Sequence, residues 1–295
     1  MSDKAKITDD LVERIAMEIS RRYRIVPDAA KRVLRKHFAD KKLKSRLRTI
    51  SDDEDVERLH EFKEAVKEAK KEIYYNLRRY HRDKEAENDL IDELRRRIES
   101  KRPLEDIDHV RDELLLMHSS TAERFEYYSA FYEELYKVIS PPKSILDVAC
   151  GIHPLSYPFD KNPPEIYACI DRDELCIRCI EAYAQSSEVC GLRGIVSDLG
   201  TIQWQSMASQ ESGPFDLALM LKLVPVIDRQ KEDLLKKLAD VPATRILLTG
   251  NAESLTRRHD VLRREDRALK SFIELSGRRT VSEFRIPNEF GYLIE

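Results

Sequence analysis

The chain has 295 residues, 52 Lys and Arg against 55 Asp and Glu, and a net charge of −3, with 41% hydrophobic residues. That length allows two domains or one large one with a substantial core. No apolar stretch approaches the length of a membrane span and no hydrophobic core follows Met-Ser-Asp-Lys-Ala-Lys, so a soluble, cytoplasmic protein is expected.

Residues 7–20 place Leu11, Ile15 and Ile19 at fourfold spacing behind a Thr-Asp-Asp start, which predicts an amphipathic helix. Arg21 to Pro27 reads as a linker, and Pro27 opens a second helix through Ala30, Val33 and Leu34. Between Arg21 and Arg48 stand twelve Lys or Arg and two acids, Asp28 and Asp40. A charge run is ordinarily a solvated helix face. Acids nearly vanish here while they abound elsewhere, which points to phosphate contact. The candidates are Arg21, Arg22, Arg24, Arg32, Arg35, Lys36, Lys41, Lys42 and Lys44.

Residues 51–117 invert the balance, with fifteen basic and twenty-one acidic side chains. Leu59, Phe62, Val66 and Ile73, then Leu90, Leu94 and Ile98, give two sparse apolar stripes before Pro103. The pattern predicts a charged helical hairpin, an insertion over about 52–116 suited to rigidity or partner docking. The expected domains are a helical, RNA- or ribosome-binding one over 1–117 and a second over 118–295.

The second domain begins with His118-Ser-Ser-Thr-Ala-Glu-Arg124, where Ser120 and Glu123 have capping-box spacing ahead of an aromatic-rich helix. Ser144-Ile-Leu-Asp-Val-Ala-Cys-Gly151 then reads as a strand, a tight turn at Gly151 and, from Pro154, a helix. Such a crevice at a strand's carboxyl end suits an adenosine-containing ligand. Neither G-x-G-x-x-G nor a Walker loop is present, so a pyrophosphate is poorly served, and the one-glycine turn suits S-adenosylmethionine better. Asp171 ends the next strand twenty residues after Gly151, the spacing of a ribose ligand. Asp147 ends the first. Asp198 closes a third strand, where it could meet an adenine edge, and Arg124 has the planar guanidinium to clamp the methionine carboxylate. Phe215–Lys222 and Arg245–Gly250 read as further parallel strands, and 280–286 with 292–295 as a closing antiparallel hairpin. The expected fold is α/β: a Rossmann-like, seven-stranded methyltransferase sheet preceded by helices.

The five cysteines, Cys150, Cys169, Cys176, Cys179 and Cys190, are odd in number and share one apolar-rich region, as in reduced packing. Zinc on Cys176-x-x-Cys179 is disfavoured, because Leu175, Ile177 and Ile180 mark a buried helix face and no second C-x-x-C exists. No metal is expected.

Four motifs in order, His118–Arg124, Pro141-Pro-Lys-Ser-Ile-Leu-Asp-Val-Ala-Cys-Gly-Ile-His-Pro-Leu-Ser-Tyr-Pro-Phe159, Met220-Leu-Lys-Leu-Val-Pro-Val226 and Pro287-Asn-Glu-Phe-Gly-Tyr292, resemble the aminoglycoside-resistance methyltransferases that make 7-methylguanine in the decoding region of 16S ribosomal RNA. The resemblance covers residues from about His118 and, more loosely, the basic first fifty. It implies that Arg124 meets the cofactor carboxylate, Gly151 lines the floor, Asp171 holds ribose, Asp198 with Leu199 frames adenine, and Lys222 to Pro225 border the target pocket. It also implies that the N-terminal helices grip the 30S subunit. The chain departs from the family at His153, where Asn is usual, and at Thr-Gly-Asn251, where Phe-Pro is typical.

Guanine N7 has an in-plane lone pair and no proton, so methyl transfer to it requires alignment and water exclusion rather than a catalytic acid or base. The base is expected to be extruded, with Tyr157, Phe159 and Phe290 as stacking candidates against their competing role as core. The alternatives are a methyltransferase for another ribosomal base, such as adenine N1, and an RNA-binding protein that keeps the fold without turnover. A monomer suffices for any of these.

Overall fold

The computed structural model describes residues 7–23, 27–49, 55–80, 84–100, 104–187, 189–210, 213–230, 234–252 and 260–295. Two compact units result, one of residues 1–82 with 172–174 and one of 83–171 with 175–295.

The first unit contains α1 (Asp9–Tyr23), α2 (Pro27–Phe38), α3 (Lys41–Thr49) and α4 (His60–Tyr80). Ile15, Ile19, Val33, Leu34, Leu43, Phe62 and Ile73 form its core, in which Phe38 and Phe62 stack at 5.1 Å. These are the apolar positions at helical spacing, so amphipathicity assembles this unit. Asp40 accepts from the Lys42 and Leu43 amides and caps α3.

The second unit opens with α5 (Lys84–Ser100), α6 (Leu104–Met117), α7 (Ser119–Ala122) and α8 (Tyr128–Val138). The α/β part follows: β1 (Ser144–Val148), β2 (Ile166–Asp171), α9 (Glu174–Ser186), β3 (Leu192–Val196), α10 (Trp204–Gln210), β4 (Phe215–Met220), α11 (Leu223–Gln230), α12 (Leu235–Ala239), β5 (Ala243–Asn251), α13 (Asp260–Ser276), β6 (Thr280–Ile286) and β7 (Glu289–Ile294). The division between units falls upstream of the 117/118 boundary drawn from the sequence. Leu90, Ile91 and Leu94 of α5 and Val110 and Leu114 of α6 lie in one core with residues of the sheet, so half of the charged stretch helps to cover it.

The seven strands, the number expected from the sequence, run in the order β3-β2-β1-β4-β5-β7-β6. The first five are parallel, and β7 is antiparallel to both β5 and β6. Alternate residues enter different cores: Ile145, Tyr167, Leu217 and Leu247 on one face, Leu146, Ala168, Ala218 and Leu248 on the other. A sheet covered on both faces needs apolar residues at both parities, which is why these strands read as continuous apolar runs.

Three local expectations change. Pro154 starts only a four-residue 3-10 turn, His153–Ser156, because Pro158 and the Pro163-Pro164 pair withhold the N–H donors a longer helix would need. The Ser120–Glu123 capping box does not form. The Ser120 hydroxyl lies 3.0 Å from His118 Nδ1, and Glu123 turns to Lys222 instead. Finally, β3 ends at Val196, leaving Asp198 in the loop after it.

Gly291 in β7 pairs with Thr249, and a Cβ on it would stand 1.9 Å from the Leu248 carbonyl oxygen. Gly291→Ala should therefore lower unfolding stability by about 1–3 kcal/mol, measured by denaturant melts. An unchanged midpoint would mean that β5 and β7 can separate without loss.

Candidate functional site

The sheet reverses its winding between β1 and β4, the place at which open α/β sheets form a crevice at the carboxyl ends of the strands. On leaving β1, Ala149 takes φ +55° and Gly151 φ +54°; on leaving β4, Lys222 takes φ +57°. Non-glycine residues reach this region at a cost that surrounding contacts must offset. At Lys222 they are visible: its N–H reaches the Thr249 carbonyl at 3.1 Å and Oγ1 at 3.0 Å.

The Gly151 amide donates to Asp171 Oδ2 at 2.8 Å, tying the turn after β1 to the end of β2. On the other side of Gly151 lies the buried His118 ring, whose Cε1 would be 2.8 Å from a Cβ added there. Both backbone angle and space thus require glycine. His118 is set by Thr121, whose buried hydroxyl donates toward the Leu115 carbonyl at 2.5 Å and the His118 carbonyl at 2.9 Å. Asp198 is buried; its Oδ1 accepts from the Gly200 amide at 2.8 Å, and its carbonyl accepts from Thr201 and Ile202. Leu199 packs, half-buried, against the core.

Asp147 is only 1% exposed and serves a buried network. Its Oδ2 accepts from Tyr167 at 3.1 Å and meets His153 Nδ1 at 2.8 Å, while His153 Nε2 lies 3.2 Å from Tyr132 Oη. With its proton on Nδ1, His153 donates to Asp147 and its Nε2 accepts from Tyr132. His153 therefore joins the turn after β1 to α8.

Arg124 is buried against Glu289 of β7. Its Nε donates to Oε2 and its Nη2 to Oε1, both at 2.8 Å, and the Thr249 hydroxyl donates to Oε1. Lys222 Nζ lies 2.8 Å from Glu123 Oε2 and 4.0 Å from Glu289 Oε2. Burial opposes ionisation of Glu289, but Arg124, Lys222 and Thr249 overcome it and hold the carboxyl below its ordinary value. Burial likewise lowers the Arg124 pKa, but Glu289 outweighs it and the net shift is upward.

The structure thus brings Asp147, Gly151, Asp171, Asp198, Leu199, Lys222 and Arg124 to the strand ends, with Asp147 and Arg124 already bonded inside the protein. Pro225 is buried in the first turn of α11, a position where its missing N–H leaves no gap. Tyr157 and Phe290 are buried and Phe159 half-buried; Tyr157 contacts Tyr132, Phe159 and Tyr167 in one aromatic cluster. Among the basic candidates, Arg21, Arg35, Lys36, Lys41, Lys42 and Lys44 are exposed and Arg32 is half-buried. Arg35 pairs with Asp9 and Lys36 with Glu72. The Arg22 side chain and all of Arg24 lie outside the described residues. Cys150, Cys169, Cys176 and Cys179 are buried and Cys190 exposed; among the described residues no three His, Cys, Asp or Glu are grouped to hold a metal.

Sequence reasoning missed Glu289, Thr249 and His118. A signal existed for the first: Glu289 is the acid in a strand whose other residues are mostly apolar, and an ionised group there needs a partner. Nothing local marks Thr249 or His118.

The residues fit a nucleoside sulfonium ligand. Asp171 at the end of β2 and Asp198 in the loop after β3 supply carboxylates, the turn after β1 lacks a Cβ at Gly151, and the Arg124 edge not bonded to Glu289 can still donate. This sheet order, glycine turn and set of strand-end acids define an S-adenosylmethionine-dependent methyltransferase fold. The chain matches the ribosomal RNA methyltransferase (FmrO) family over residues 45–290 and belongs to it. It is 35% identical over 121 residues to a protein of Proteus mirabilis named 16S rRNA (guanine(1405)-N(7))-methyltransferase, a match covering 40% of this chain and 41% of that one. The chain therefore aligns with about two-fifths of that relative's length. Its fold is shared with the 16S rRNA methylase RmtB (18% identity, TM-score 0.67, 96% of this chain and 98% of that one). It is shared equally with the 16S rRNA methyltransferase RmtF, solved with S-adenosyl-L-homocysteine (18% identity, TM-score 0.66, 100% and 99% covered).

Because Glu289 is held below the ordinary glutamate value of about 4.3, its stabilisation is present above that pH and is lost as pH falls through the lowered value. Glu289→Gln should cost about 3–5 kcal/mol at pH 7, by leaving Arg124 buried without its counter-charge, and should flatten the acid limb of stability. Denaturant melts at pH 7, 4.5 and 3 check both; equal acid slopes in the two proteins would remove Glu289 from the account.

Proposed function

We propose that the protein transfers a methyl group from S-adenosylmethionine to guanine N7 in 16S ribosomal RNA, acting in the cytoplasm as a monomer on the 30S subunit. The reading is carried by the Gly151 amide bonded to Asp171 at the sheet's switch point, in a chain of the ribosomal RNA methyltransferase family. The names of the relatives support the base and the atom. Methylation in the decoding region has the potential to confer aminoglycoside resistance.

When bound, S-adenosylmethionine supplies an electrophilic methyl group. In this reading Asp171 accepts from the ribose hydroxyls, Asp198 and Leu199 frame the adenine, and Arg124 holds the methionine carboxylate. Lys222 and Pro225 border the place where guanine enters, and Lys222 is kept there by Thr249 and Glu123. N7 has no proton to lose, so the catalytic demand falls on alignment and exclusion of water, to which the buried frame around the turn is suited. Tyr157, Phe159 and Phe290 support this frame as packed rings; a stacking role for Phe159, the most accessible, would need it to turn outward. The basic helices of the first unit supply phosphate contacts, with Lys41, Lys42 and Lys44 exposed along α3.

Purified protein with tritiated donor should label 30S subunits, and mass mapping should find the label on a guanine N7. Label on an adenine would replace this substrate, and none on any RNA would favour the non-catalytic alternative. A second measurement addresses α3. Replacing Lys41, Lys42 and Lys44 together by Ala should weaken 30S binding at least tenfold at low salt and reduce the slope of log affinity against log salt by roughly 2, with an unchanged melt. An unaltered slope would place the RNA contact elsewhere.

A further inference from the structure

Tyr128, the first residue of α8, stands four residues after Arg124. Its ring is only 9% exposed and lies 6.0 Å from the His153 ring. Its hydroxyl is buried without a hydrogen bond of good geometry to any described residue; Arg124 and Ser156 are the hydrogen-bonding groups beside it, neither aligned with it, and the Glu289 charge lies further off. Ser156 spends its own proton on the His153 carbonyl at 2.7 Å, so it can offer Tyr128 only a lone pair.

A buried hydroxyl without a well-aligned acceptor works against folding, and phenylalanine would fill the same space without that penalty. Phe131, one turn away in α8, shows that apolar rings are accommodated here. The hydroxyl is therefore suited to a partner that arrives from outside the chain. Arg124 narrows what that partner is. Glu289 takes Nε and one proton of Nη2, which leaves the Nη1–Nη2 edge of the guanidinium with donors to spare. A tyrosine proton beside an unfilled guanidinium edge selects an anionic acceptor with two oxygens.

We propose that Tyr128 is a donor-binding residue, its hydroxyl bonding the carboxylate of the donor's methionine moiety together with Arg124. The inference rests on the reading of the crevice as an S-adenosylmethionine site and adds a ligand to it. Burial pushes the Tyr128 pKa up to about 12, against the opposing effect of Arg124, so the phenol keeps its proton for donation at neutral pH. Glu289 in turn acts as a positioning residue, since it fixes which edge of Arg124 remains open.

Calorimetry on the full-length protein separates the parts, using S-adenosylhomocysteine, which has the carboxylate, and 5′-methylthioadenosine, which has the nucleoside thioether without it. Tyr128→Phe should weaken S-adenosylhomocysteine about 10–150-fold, as for loss of one hydrogen bond to a charged group, and leave methylthioadenosine unchanged. Tyr128→Leu repeats the test if the phenylalanine variant melts early. Equal affinity for S-adenosylhomocysteine in wild type and variant overturns the proposal, and so does a parallel loss of both ligands, which would mean a role in packing. If the wild-type protein binds neither compound, the donor-site reading itself fails, an outcome distinct from the other two.

Discussion

The ion pair between Arg124 and Glu289 is the contact on which the rest of the crevice depends. The two residues are 165 positions apart, and both are almost fully buried. Taking two such charges out of water is costly, so the pair persists only because its geometry is bidentate and its remaining valences are used. Thr249 and Lys222 use them on the Glu289 side. The segment before α8, the end of β5 and the start of β7 are thereby held to one carboxylate, and the residue after β4 is drawn toward it.

Charge and strain are linked at this point. Lys222 adopts a left-handed backbone conformation that Thr249 stabilises from the next strand, while its ammonium is shared between Glu123 and Glu289. Across the switch point the turn at Gly151 is fixed differently, by a carboxylate on one side and an imidazole ring on the other. The two walls of the crevice are thus set by separate devices. Beneath the Gly151 wall, the Asp147–His153–Tyr132 chain ties the turn to α8, the same helix that carries Tyr128. A reaction that relies on alignment alone needs this rigidity more than it needs an acid or a base.

The charged stretch from residue 51 to 117 illustrates how composition can mislead. Its acidic excess reads as one solvated insertion, yet the stripe of Leu90, Ile91 and Leu94 commits α5 to the core that covers the sheet. In α4 the corresponding residues, Phe62, Ala69 and Ile73, join the core of the first unit. A sparse apolar stripe states that a helix is half-buried without naming its partner.

What the sequence determined by itself is whatever depends on local spacing. The apolar runs of β1, β2, β4 and β5, the glycine after β1, the acid twenty residues later and the presence of a closing hairpin were legible, because steric and hydrophobic rules act over a few residues; the second strand of that hairpin nevertheless begins at Glu289, three residues before the Tyr292 start read from the sequence. The tertiary structure alone decided which charges meet. Arg124 is recognisable as a guanidinium in a motif, but its commitment to Glu289 arises only when β7 is inserted beside β5, and the role of His118 against Gly151 appears only when α6 and α7 fold over the turn. Electrostatic and packing partners are chosen by distance in space, and a one-dimensional pattern does not encode that distance between residues so far apart along the chain.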